Sequence, residues 1–110
     1  LQYRKQWLEY TDPRLTVVAV DGDRVVGQTT LFYSNQPGRG AYTGYTGVLR
    51  EYRGRGIALA LKVLCINEAD KRGVPHMRTN NDFENPPMLA VNQKLGYRLV
   101  PGPHRIKKSL

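Results

Sequence analysis

Along this chain the hydrophobic period changes from alternation to helical spacing. Residues 15–20 (LTVVAV) are a β-branched run, and 24–34 (RVVGQTTLFYS) resume that composition after Asp21-Gly22-Asp23. Two such runs around a glycine-centred turn predict a hairpin. Residues 35–40 (NQPGRG) read as a loop. Residues 41–49 (AYTGYTGVL) predict a third strand, in which Gly44 and Gly47 mark a bulge or a close backbone approach.

From Ile57 to about Arg72 the spacing turns helical. Ile57, Ala60, Leu61 and Leu64 recur at helical intervals, and Leu59, Val63 and Ile66 widen the apolar face. Gly73 ends the pattern, and 74–79 (VPHMRT) predict a further strand. A helix between two strands implies a crossover and a parallel pair. A second helix has Asn85 as N-cap, Pro86 at its first position and Gly96 as its stop. Met88, Val91 and Leu95 predict its buried stripe, with Asn92 on the same face. Tyr97 to Val100 and His104 to Ser109 predict a last strand pair around Pro101-Gly102-Pro103. The order β-β-β-α-β-α-β-β implies an α+β fold: a mixed, mostly antiparallel sheet flanked by helices.

Length and composition set limits on this picture. A chain of 110 residues has room for one domain. Its 40% apolar and 24% charged content is that of a soluble globular protein. No apolar run approaches a bilayer span, and the first residues (LQYRKQWLEY) lack a signal-peptide core. The single cysteine, Cys65, cannot form an internal disulfide, so a cytoplasmic setting is expected. It lies on the first helix with nothing near it to activate a thiol, which predicts a core position. One cysteine and two distant histidines, His76 and His104, give no metal site.

Seventeen Lys and Arg against nine Asp and Glu give a net charge of +8, which favours an anionic partner. The arginines gather in one loop rather than interleaving with aromatics, which argues against a nucleic-acid partner.

That loop carries the chemistry. The stretch YRGRGIALALK, Tyr52 to Lys62, sets two glycines and two arginines directly before the first helix. A helix start leaves backbone N–H groups without partners and carries partial positive charge. Glycines let that backbone approach a ligand closely, and a phosphate is the natural ligand. Arg53 and Arg55 either add charge around the phosphates or flank the loop. The mononucleotide loop is excluded, because no Lys-Ser or Lys-Thr follows, and Leu59 occupies the third glycine position of the dinucleotide fingerprint. What fits is R-x-x-G-x-A, from Arg53 through Gly56 to Ala58.

Thr46-Gly47-Val48, then REYRGRGIALALK, then NPPMLAVNQKLGYR, resemble the GCN5-related N-acetyltransferase (GNAT) superfamily over residues 15–110. The resemblance implies an acyl-CoA N-acyltransferase fold, short at its N-terminal side, with residues 1–14 a remnant of the region before the core. It implies acetyl-CoA as co-substrate, its pyrophosphate on the backbone of Arg53, Gly54, Arg55, Gly56, Ile57, Ala58 and Leu59. The pantetheine arm would pair with the strand edge at Thr46, Gly47 and Val48, and the Val48 N–H would be the oxyanion donor. Asn85 and Asn92 would touch the cofactor. A tyrosine that many members carry as general acid is replaced by Asn92, which either bonds the cofactor or ties its helix to the sheet. The general base is not legible: Glu51, Asp82 and Glu84 are the nearby acids, each readable as a solvated charge.

The implied reaction is direct attack of a small-molecule or peptide amine on the thioester. Family members place one or two helices before the first hairpin to wall the acceptor pocket, and few residues precede Leu15 here. A second expectation is therefore a module that holds coenzyme A without turnover, or one completed by a tandem domain or a second copy. Tyr3, Trp7 and Tyr10 form an aromatic patch that would pack on the sheet edge or serve the acceptor side.

Overall fold

The computed structural model describes residues 1–8, 14–33, 40–80, 86–99 and 105–110. Seven strands form one sheet in the order β1-β2-β3-β4-β5-β7-β6: β1 (Gln2–Leu8), β2 (Arg14–Asp21), β3 (Arg24–Phe32), β4 (Ala41–Val48), β5 (His76–Asn80), β6 (Arg98–Leu99) and β7 (Arg105–Ser109). The helices are α1 (Ile57–Lys71) and α2 (Pro86–Lys94), and a 3-10 turn (Arg50–Tyr52) leads into α1. The β4–β5 pair is parallel and every other pairing is antiparallel, as an α+β mixed sheet requires. Asn85 and the Pro101-Gly102-Pro103 turn lie outside the described residues.

The predicted hairpin is β2–β3, closed through Gly22 with its backbone at φ 61°. β2 alternates as its sequence suggests, with Leu15, Val17 and Ala19 fully buried. These residues, with Leu31, Ala41 and Met77 from neighbouring strands, pack on Ile57, Leu61, Cys65 and Ala69 of α1. Helix and sheet meet closely at Gly27, where an added Cβ would stand 3.2 Å from Ile57 and 3.3 Å from Leu61. The start of α1 is thus clamped beside the end of β4.

Three placements differ from the sequence reading. Gln2–Leu8, which carries no obvious strand pattern, is an edge strand paired with β2 along its whole length and tied to α1 by a Lys5–Glu68 ion pair of 2.7 Å. That pair holds the Glu68 carboxyl below its ordinary pKa. Val63, expected on the apolar face, is 37% exposed, while Lys62 is buried in its stead. On α2 the fully buried side chain is Asn92, with Met88, Val91 and Leu95 only half-buried. Cys65 lies in the core, and burial pushes its thiol up to about 12, which leaves it inert.

Candidate functional site

The site begins where β4 and β5 part. They pair only at Ala41↔Met77 and Tyr42↔Arg78. One residue further on, the Thr79 hydroxyl donates to the Thr43 carbonyl at 3.1 Å and closes the junction. Beyond it β4 keeps β3 on one side and, among the described residues, has no ladder on the other. The β3–β4 register shifts between Thr29 and Leu31, which face Thr46 and Thr43, so β4 carries one extra residue at Gly44-Tyr45. This is the bulge that the strand glycines predict, and it bends the free edge of β4 outward.

Hydrogen-bond parity shows which amides line that edge. Leu49 N–H donates to the Val26 carbonyl at 2.8 Å, which makes Gly27↔Val48 a non-hydrogen-bonded pair. The Val48 N–H therefore faces away from β3, into the cleft, and the same parity turns the Thr46 N–H there. The Thr46 hydroxyl is held by Thr29 at 2.8 Å.

Across the mouth of the cleft stands the start of α1. Gly54 and Gly56 both take left-handed backbone, φ 77° and 79°, and an added Cβ at either would meet nothing within 4 Å. The first helical bond runs from Ala60 N–H to the Gly56 carbonyl at 3.0 Å, and no side chain caps the helix. The amides of Ile57, Ala58 and Leu59 therefore have no partner within the helix, and no acidic residue sits in the first turn to offset the helix dipole. The Ile57 side chain is buried in the core, so its backbone alone faces the mouth.

The two arginines belong to the frame of this loop. Arg53 Nε donates to the Val48 carbonyl at 3.0 Å. Arg55 donates to the Glu51 carbonyl at 3.3 Å and stacks 5.0 Å above the Tyr52 ring. Tyr52 in turn donates to Asp21, a bond that raises the pKa of its phenol and anchors the turn to the β2–β3 hairpin. Their charge stays at the mouth while their bonds fix the loop to β4. An open depression of about 300 Å³ adjoins it, between the ends of β3 and β4, with Gln28, Tyr45, Gly47 and Arg50 on its walls. Tyr45, on the bulge, is 76% exposed and folds over Gly47, where an added Cβ would strike its ring.

Asn92 lies deep beneath the cleft, 1% exposed, and accepts a 2.7 Å hydrogen bond from Lys62 Nζ. In this geometry it ties α2 to α1. Lys62 was legible in principle: it stands three and seven residues before Cys65 and Ala69, on their face of the helix. Burial lowers its pKa from 10.5 to about 8. Among the described residues, no group of three or more His, Cys, Asp or Glu gathers to hold a metal ion.

An acetyltransferase (GNAT) family model matches residues 1–97. The chain belongs to the GNAT family. N-alpha-acetyltransferase 30 of Schizosaccharomyces pombe is 25% identical to this GNAT chain over 99 residues, covering 87% of the chain. The chain spans 65% of the length of that relative. Among solved structures, the GNAT domain of S. lividans PAT superposes with a TM-score of 0.77 at 20% identity, over 88% of this chain and 61% of that one. A chain of the NatC complex bound to Gag peptide and CoA gives 0.76 at 19% identity, over 86% and 70%. These likenesses establish the acyl-CoA N-acyltransferase fold.

Proposed function

We propose that this GNAT chain transfers an acetyl group from acetyl-CoA to a primary amine, with a peptide α-amine as the leading acceptor class. The observation that carries the reading is the pairing of an uncapped helix start, opened by two left-handed glycines, with a strand edge left free by the β4–β5 divergence. The amides of Ile57, Ala58 and Leu59 hold the pyrophosphate, with Gly54 and Gly56 giving it access. The free edge at Thr46–Val48 takes the pantetheine amides as an added strand would. Val48 N–H then polarises the thioester carbonyl and stabilises the oxyanion formed as the amine attacks. The peptide acceptor is supported by the relative named N-alpha-acetyltransferase 30 and by the NatC structure bound to Gag peptide and CoA.

One observation favours a second reading. β1 and β2 pair from Leu8↔Arg14 onward, so five residues join them and leave no length for helices that would wall an acceptor pocket. Coenzyme A would then bind without turnover, or turnover would need a second copy or a tandem domain. Thiol release from acetyl-CoA, measured against peptide α-amines, lysine, polyamines and amino sugars, separates the two. Turnover with peptide α-amines is expected. Thermal stabilisation by coenzyme A with no thiol release would establish the second reading instead. Neither effect would overturn both.

A further inference from the structure

Strand pairing lines up one row of side chains across the sheet. Arg14 faces Phe32, Phe32 faces Tyr42, and Tyr42 faces Arg78 across the β4–β5 junction. Arg78 then faces Lys107, and Lys107 faces Arg98. Residues directly opposite each other on paired strands share a face of the sheet. Here that face is the one turned away from α1. Leu15, Leu31, Ala41 and Met77 pack on α1, so their sequence neighbours Arg14, Phe32, Tyr42 and Arg78 point the other way. α2 is tied to α1 through Lys62 and Asn92. Arg14, Arg78 and Arg98 are exposed, and Phe32 is 37% exposed.

The row joins a stacking platform to a track of positive charge. The Arg14 guanidinium lies over the Phe32 ring, 5.2 Å from its centre, and the Phe32 and Tyr42 ring centres are 6.2 Å apart. At Gly44 an added Cβ would stand 2.6 Å from the Phe32 ring, so this glycine leaves the ring its room. None of the described acids, Asp21, Asp23, Glu51, Glu68 and Asp70, falls in the row. The ion pairs among the described residues use Lys5, Arg24 and Lys71 and leave Arg78, Lys107 and Arg98 without a counter-charge. Their potential reaches His76, whose pKa is lowered by burial first and then by Lys107 and Arg78. In the sequence these cations and aromatics stand far apart, and only strand pairing interleaves them.

We propose that this row binds single-stranded nucleic acid, its bases stacked on Tyr42 and on Arg14 over Phe32, its phosphates against Arg78, Lys107 and Arg98. Such a strand needs both parts, a cationic track for the backbone and flat faces for the bases. Aromatic rings on a sheet face and guanidinium planes both stack unpaired bases. An acidic peptide answers the charge but leaves the platform idle, and a duplex keeps its base faces to itself. The row crosses six strands, which at ~4.8 Å per gap is roughly 24 Å, at the short end of single-strand sites of about four nucleotides or more. It crosses β4 and β5 where they are paired, so a bound strand runs over continuous sheet and stays out of the cleft. The site is therefore independent of the coenzyme A reading.

The test is the fluorescence anisotropy of labelled oligouridylate and oligothymidylate, titrated with the chain over a salt series. With three cations on phosphates, the logarithm of affinity should fall against the logarithm of salt with a slope of about −2. Arg78→Gln with Lys107→Gln should bring the slope to about −0.7. Phe32→Leu should weaken binding about fivefold or more at constant salt. Lys71→Gln with Lys94→Gln, which removes the same charge from the exposed sides of the helices, should leave the slope as it is. On the parent protein, saturating coenzyme A should leave the oligonucleotide in place. Binding of either oligonucleotide in this pattern supports the site, and the tighter one names the sugar it takes. No binding at low salt, displacement by coenzyme A, or an equal loss from the helix substitutions would overturn it. So would a polyglutamate peptide that competes as strongly as oligouridylate and ignores Phe32→Leu, which would make this face a docking surface for an acidic protein.

Discussion

Gly56→Ala is expected to weaken coenzyme A binding by about tenfold or more, the equivalent of one lost charge-assisted hydrogen bond. Gly56 sits at φ 79° directly before α1, and no neighbour crowds its missing side chain. A methyl group there clashes with nothing inside the protein. It stands where a phosphate must come to reach the amides of Ile57–Leu59, and it disfavours the left-handed backbone by about 1–2 kcal/mol. Gly73 supplies the control. It has φ 75° and equally open surroundings, but it lies past the far end of α1, about 22 Å from the loop at ~1.5 Å per residue. Gly73→Ala should lose a similar amount of stability and keep coenzyme A affinity. Calorimetric titration of the two variants decides the matter: equal affinities would remove the phosphate role from this loop.

The second large effect is a pH dependence of stability carried by Lys62. Its pKa is about 8 in the folded protein, against an ordinary 10.5, because burial disfavours the ammonium form. Below pH 8 the residue is protonated in both folded and unfolded chains, and the cost of burying the charge is present in full. Between pH 8 and 10.5 the unfolded chain binds more protons than the folded one, so stability rises with pH across that window. The rise amounts to about 3 kcal/mol for this group. Lys62→Met removes the titration together with the bond that Lys62 donates to the Asn92 side-chain amide oxygen, so its stability near pH 7 shifts less than this figure suggests. Denaturant melts of both proteins from pH 7 to 11 should show the parent gaining on the variant above pH 8. Parallel curves would mean that Lys62 is solvated.

Much of this architecture is written locally. The β2–β3 hairpin follows from β-branched runs around Asp21-Gly22-Asp23, and α1 from its apolar spacing and flanking glycines. The geometry of the loop before α1 was equally legible, because Gly54 and Gly56 take the left-handed backbone that glycine adopts freely. What escaped depends on distant partners. β1 has a mixed sequence, QYRKQWL, and owes its extended form to the edge of β2 and the Lys5–Glu68 pair. The crossover helix predicts a parallel β4–β5 pair, but that the pairing stops after two residue pairs depends on how strands far apart in sequence diverge. The same holds for Lys62 and Tyr97. A lysine in an apolar stripe reads as a surface charge until Asn92 is brought against it, and Tyr97 reads as a core aromatic until its hydroxyl is seen to be buried without a hydrogen bond among the described residues.

In the proposed function, the start of α1 and the free edge of β4 form one coenzyme A site. Titrating isotope-labelled protein with coenzyme A, and following backbone amides by NMR, tests it residue by residue. The largest shifts are expected on Gly54 to Leu59 and on Thr46 to Val48, with Gly22 and Gly73 unmoved. Shifts centred elsewhere on the sheet, or none at saturating coenzyme A, would contradict it.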